Sequence, residues 1–133
     1  MVFLDANVPM YLVGRDHPLK SAAAGGIQRL SLAREKLVTD AEVFQEILHR
    51  YVSINRPEAI QPAFDALSQL VVEIFPIDMS TVHDARALAL GYPGLSARDA
   101  IHIAVMKRHG IPRLFSFDEG YDVVPGINRI TAL

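Results

Sequence analysis

The chain alternates short apolar runs with longer stretches of helical periodicity, and this alternation restricts the possible folds more than any other feature. Val2-Phe3-Leu4, Leu37-Val38, Val71 to Phe75 and Arg113 to Phe117 are the runs, each too short for a helix. Between them apolar residues recur three and four apart, as in Leu19, Ala22, Ala23, Ile27, Leu30 and Ala33, or Val82, Ala85, Leu88 and Ala89. Strands separated by helices are joined by crossovers, which makes the sheet parallel and covers both its faces. The expected fold class is α/β, a three-layer α/β/α arrangement with a central, mainly parallel sheet. A chain of 133 residues is long enough to bury one such core, so a single domain over 1–133 is expected.

Local signals mark the element ends. Val8 to Val13 is helical and stops at Gly14, and Pro18 opens a helix from Leu19 to about Lys36. Gly25-Gly26 interrupts that pattern and leaves either one bent helix or two. Thr39-Asp40-Ala41-Glu42 has the form of a capping box, opening a helix to about Ser53 that is expected to bury Phe44, Ile47, Leu48, Tyr51 and Val52. Further helices are expected from Pro57 to about Leu70, from Asp78 to Leu90, and from Ser96 to the stop at Lys107-Arg108-His109-Gly110, with Asn128 to Ile130 as a last edge strand.

The acids carry the chemistry. Asp5 follows Val2-Phe3-Leu4 directly, and Asp118 follows Arg113 to Phe117 in the same way. Open parallel sheets place their ligand crevice at the carboxyl ends of the strands, and adjacent strand ends lie about 5 Å apart. Three acids also have a structural role open to them. Asp5 fits a helix N-cap, Glu46 pairs with Arg50 at i,i+4, and Asp99 completes a capping box with Ser96. Yet Asp99 stands in the first turn of a helix that is apolar nearly all round, where an acid needs a partner or titrates. A metal is one such partner; Arg98 and His102 are weaker ones, while His83 has no partner at a ligand spacing.

Two carboxylates about 4 Å apart repel by roughly 4 kcal/mol at an effective dielectric near 20, so a cluster raises its pKa values or binds a cation. The chain has no cysteine, and oxygen ligands favour Mg²⁺ or Mn²⁺. The formal net charge of −2 decides little about nucleic acid: with four of the 15 acids gathered around metal, 15 − 4 = 11 face 13 Lys and Arg. Exposed Arg15, Lys20, Arg29, Arg50 and Lys107 are candidate phosphate contacts. The absence of cysteine, of a leader-like start and of any apolar run near 18 residues makes a cytoplasmic protein the expectation.

Four segments together carry a resemblance: Val2 to Asn7, Val38 to Leu48, Arg98 to Ala104, and Leu114 to Asp118. In order and spacing they resemble the signature segments of PIN-domain ribonucleases, VapC-type toxins in particular, across essentially the whole chain. The resemblance implies a Mg²⁺- or Mn²⁺-dependent endoribonuclease acting on single-stranded or structured RNA. It implies metal-binding, catalytic roles for Asp5, Glu46, Asp99 and Asp118 and supporting polar roles for Asn7 and Ser116. Glu42 is a possible outer participant, and Asp122, beside Asp118, is another acid that could face the metal. A cognate antitoxin and a homodimer are implied as partners. Ala6 departs from the family, which often has a hydroxyl there. Two other readings remain: a phosphate-handling enzyme of the haloacid-dehalogenase or receiver kind, in which Asn7 stands where those phosphatases need a second Asp, and a non-catalytic PIN-like module that binds RNA or protein.

Overall fold

Val2, Phe3 and Leu4 have no solvent exposure in the structure, a computed structural model that describes residues 1–131. They form β1 (Val2–Leu4), the middle strand of five in the order β3-β2-β1-β4-β5, with β2 Leu37–Asp40, β3 Glu73–Phe75, β4 Arg113–Phe115 and β5 Asn128–Ile130. Every pairing is parallel. Six α-helices among the described residues make the first three crossovers, α1 Asn7–Val13, α2 Lys20–Leu32, α3 Ala41–Ser53, α4 Ile60–Leu70, α5 Met79–Gly91 and α6 Ala97–Arg108, and a 3₁₀ turn, Glu119–Val123, joins β4 to β5.

Register shows that both faces are covered. Phe3 pairs with Leu114 and Leu4 with Phe115, so successive side chains on β1 and β4 point to opposite faces. On one face the Phe3 ring lies 5.4 Å from that of His102 in α6; on the other the Phe115 ring packs against Gly26 in α2. A Cβ on Gly26 would fall 2.3 Å from Phe115 Cζ, whereas one on Gly25 would meet nothing within 4 Å. The glycine pair therefore sits within one continuous helix, and only Gly26 is required by packing. Gly110, at φ +65°, ends α6 in the left-handed conformation that glycine adopts freely.

Several boundaries and faces differ from the sequence reading. Asp40, not Thr39, caps α3, its Oδ1 accepting from Val43 N at 2.9 Å, while Thr39 Oγ1 donates to the Leu4 carbonyl at 2.9 Å. The buried stripe of α3 is Val43, Ile47 and Tyr51; Leu48 and Val52 are 44 % and 62 % exposed, because the helix turns only one side to the sheet. Pro57–Ala59 is a 3₁₀ turn before α4, and β3 begins at Glu73 rather than Val71. On α5 the buried residues are Thr81 and Ala85, with Val82 exposed.

The chain first winds from β1 outward to β3, then returns to β4 on the other side of β1. The β1/β4 boundary is thus the point where strand order reverses, which opens a crevice at the carboxyl ends of these two strands. Asp5 and Ser116 are the next residues after those ends.

Candidate metal centre and active site

Asp5 is 4 % exposed, and its carboxylate is tied down from three directions. Oδ1 accepts from Ala6 N at 2.9 Å, and Oδ2 accepts from Ser116 Oγ at 2.6 Å and from Asn7 Nδ2 at 3.5 Å. Its backbone N–H donates to the Phe115 carbonyl at 3.1 Å, locking the end of β1 to the end of β4. The side chain does not reach down to cap α1, so the capping reading of Asp5 gives way to one in which the carboxylate is aimed at the crevice. Ser116 Oγ accepts in turn from Asn7 Nδ2 and from Asp118 N, at 3.2 and 3.0 Å. Asn7 and Ser116 thereby join the ends of both strands into one polar platform.

Asp5, Glu46, Asp99 and Asp118 line a single cleft of about 220 Å³, together with Ala6, Asn7, Met10, Arg50 and Arg98. Four parts of the chain, far apart in sequence, supply these acids. Glu46 comes from α3, its side chain 13 % exposed and turned inward; among the described residues it makes no ion pair with Arg50. Asp99 sits in the first turn of α6, where Ser96 Oγ accepts from its N–H at 3.1 Å, so its backbone serves the cap and the residue lines the cleft. Asp118 is exposed, and its Oδ1 accepts from Gly120 N at 2.8 Å.

Charge crowding appears in the acidities. Burial and the neighbouring Asp5 and Asp118 push the Asp99 carboxyl up to about 7. Burial also raises Asp5, against the opposing pull of His102. Glu42, half-buried one turn before Glu46, is raised by burial with Glu46 and Asp40 adding to it. Asp122 is different: Arg129 Nε and Nη2 donate to its two oxygens, both at 2.9 Å, and hold its carboxyl below the usual range. Of the two acids weighed at this turn, Asp118 lines the cleft and Asp122 is paired outside it.

Two further buried groups lie beside the cleft: His102, expected as a weak partner of Asp99 and found instead against Asp40 and Glu46, and Tyr121, which the sequence did not single out. His102 is completely buried, its Nδ1 2.8 Å from Asp40 Oδ2 and its Nε2 3.3 Å from Glu46 Oε2 and 3.9 Å from Asp5 Oδ1. Burial disfavours its cationic form, but Asp40 and Glu46 outweigh that and raise it well above the usual imidazole range. Tyr121 is buried too, and burial with Asp5 and Asp99 nearby raises its phenol. The sequence did hold a signal for Asp40: like Asp5, it is an acid at the end of a short apolar run.

The donor set suits a hard cation. Asp5, Glu46 and His102 each offer an atom within 4.8 Å of the others, and the remaining donors facing the cleft are carboxylate oxygens. Of the five basic residues weighed as phosphate contacts, Arg50 lines this cleft, and Arg15 with Arg56 lines an adjoining hollow that shares Met10 and Arg50 with it. Lys20 is used internally, donating to the Gly14 carbonyl at 2.9 Å, and Lys107 lies in hollows on other parts of the surface.

A family model described as the PIN domain matches residues 2–127. The chain belongs to the PIN-domain family. Among its relatives, Ribonuclease VapC13 of Mycobacterium tuberculosis is 55 % identical over 130 residues, covering 98 % of this chain and 99 % of its own length. Ribonuclease VapC23 of the same species is 41 % identical over 118 residues, 89 % and 93 % of the two chains. This PIN domain is therefore of the VapC type. Its fold matches that of Mycobacterium tuberculosis VapC20, titled a sarcin-ricin loop cleaving toxin, with a TM-score of 0.75 at 20 % identity over 98 % of this chain and 99 % of that one. It also matches a chain of a toxin–antitoxin complex from Klebsiella pneumoniae, with a TM-score of 0.67 at 18 % identity over 100 % and 98 %. No helix among the described residues is long and apolar enough to cross a membrane.

Proposed function

We propose that this VapC-type PIN domain hydrolyses RNA phosphodiester bonds internally, as the toxin of a toxin–antitoxin pair, with Asp5, Glu46, Asp99 and Asp118 holding Mg²⁺ or Mn²⁺ in the cleft. The observation that carries this reading is the meeting of those four acids, with no lysine or arginine paired to Asp5, Glu46 or Asp99 among the described residues. Such a cluster is costly without a cation and is what a cation site requires. When bound, a divalent ion supplies an activated water at neutral pH and neutralises charge on the scissile phosphate.

The chain's own groups do the rest. Ser116 and Asn7 hold the Asp5 carboxylate in place, and Glu42 adds negative charge behind Glu46. Ser116 Oγ is itself buried and donates to Asp5, which supports its reading as a positioning group and not a nucleophile. Arg50 and Arg98 stand at the cleft beside the acids and are placed to take the phosphates of the RNA chain. Asn7 is spent on Ser116 and Asp5, which disfavours the phosphatase reading, since an amide there cannot serve as acid or base. The proposed partner is a cognate antitoxin, which the toxin–antitoxin complexes among the structural neighbours support, and a cytoplasmic homodimer is part of the same proposal.

The deciding experiment is cleavage of a labelled single-stranded RNA pool by the purified protein with Mg²⁺, with Mn²⁺ and with EDTA. Internal cleavage that needs metal and disappears in Asp99→Asn is the expected result. RNA retained by the protein but left intact under every condition would instead indicate a binding module.

A further inference from the structure

His102 Nε2 is buried without a hydrogen-bond partner among the described residues, yet it lies 3.3 Å from one oxygen of Glu46. The opposite ring nitrogen is firmly held. Nδ1 lies 2.8 Å from Asp40 Oδ2, and the other oxygen of that same carboxylate accepts from Val43 N at the start of α3. Asp40 therefore fixes two things at once: the rotation of the imidazole and the N-terminus of the helix that carries Glu46. The chain of contacts closes on itself, from Asp40 through the ring to Glu46 and back along α3.

We propose that Asp40 and His102 form a positioning pair that sets the carboxylate of Glu46 for the divalent ion. The inference rests on the cation-site reading above and deepens it by assigning two residues that the four-acid site does not include. The imidazole bridges the two carboxylates, with Nδ1 2.8 Å from Asp40 Oδ2 and Nε2 3.3 Å from Glu46 Oε2. His102 has no solvent exposure and does not line the cleft, whereas Asp5 and Glu46 do. The ring thus lies behind the oxygen donors, which are the atoms a hard cation prefers. Groups that orient metal-binding carboxylates from behind typically change metal affinity 10- to 100-fold when removed.

The test is a double-mutant cycle read by Mn²⁺ binding, with free Mn²⁺ followed by electron paramagnetic resonance and the fold checked by circular dichroism. His102→Gln is expected to weaken Mn²⁺ binding about 10- to 100-fold, and by less than about threefold when Glu46 is already Gln. Equal losses in both backgrounds would overturn the proposal, because a packing role does not depend on Glu46. Nitrogen coupling to wild-type-bound Mn²⁺ in pulsed spectra would also overturn it, by making His102 a direct ligand. If His102→Gln does not fold, Asp40→Asn carries the same test: its amide oxygen still accepts from Val43, and the loss of affinity is again expected only where Glu46 is present. Wild type that binds no Mn²⁺ would overturn the cation-site reading, and this one with it; wild type that binds with unchanged affinity in the variants would overturn this one alone.

Discussion

Asp99 shows how one residue couples the site to stability. Its backbone completes the start of α6 through Ser96, while its carboxyl is pushed up to about 7 by burial and by Asp5 and Asp118. The pKa in the folded chain thus lies above the unfolded value near 3.9, so the folded state holds the extra proton between these two pH values. This contribution to stability is fully present below about pH 4 and is lost as pH rises through about 7, at up to about 1.4 kcal/mol per pH unit per proton. Asp5 and Glu42, also raised by burial, act with the same sign. Urea unfolding in EDTA should therefore show the protein less stable at pH 7.5 than at pH 5, and Asp99→Asn should flatten that dependence while keeping the fold. A wild-type stability that climbs between those pH values would contradict the assignment. The same variant should lose RNA cleavage at least 100-fold, because it keeps the size of Asp99 and removes a charge from the proposed ion's ligand set.

At the scale of the element, the glycine pair of α2 separates propensity from packing. Glycine costs about 1 kcal/mol relative to alanine within a helix, so Gly25→Ala, which meets nothing, should stabilise the protein by up to about that amount. Gly26→Ala gains the same propensity but drives a methyl group into the Phe115 ring, and overpacking of that kind typically costs about 1–3 kcal/mol. Opposite shifts of the urea midpoint for two adjacent glycines are the expected outcome. Loss of stability in both would mean that α2 is bent at the pair. The α3 helix carries a related lesson. Its apolar residues cover more of its surface than the sheet can, so periodicity found the helix and overestimated its buried face, leaving Leu48 and Val52 exposed.

Across the whole molecule, opposite charges lie side by side at one end of the sheet. The four acids stand at the β1/β4 crevice, and Arg50 and Arg15 lead away from it along the adjoining hollow. A net charge of −2 conceals this separation. A cation that binds only the folded chain stabilises it by about 2.7 kcal/mol at a hundred times its Kd. Mn²⁺ should accordingly raise the melting temperature of the wild type at pH 7.5 and do so much less for Asp99→Asn; equal shifts in both proteins would place the ion elsewhere. For the proposed homodimer, light scattering should give twice the chain mass of 14.7 kDa.

The order of helices and strands, the parallel sheet, and the placing of Asp5 at the end of β1 were all legible in the linear chain; β4 ends at Phe115 and not at Phe117, so Ser116 takes the matching place and Asp118 follows on the turn that it caps. The legible features rest on local periodicity and on the rule that crossovers make parallel strands. The four signature segments were legible in the same way, as was the innocent use of the Asp99 backbone in a cap. What the chain alone left open was the direction in which Glu46 points, which of Asp118 and Asp122 faces the cleft, and the burial of Asp40 with His102. Each of these depends on a contact between segments far apart in sequence: α3 against α6, Asp122 against Arg129 of β5, and β2 beside β1. A capping pattern reads alike on a surface helix and a buried one, and only the packed sheet decides which carboxylates are deprived of water and must share a cation or a proton.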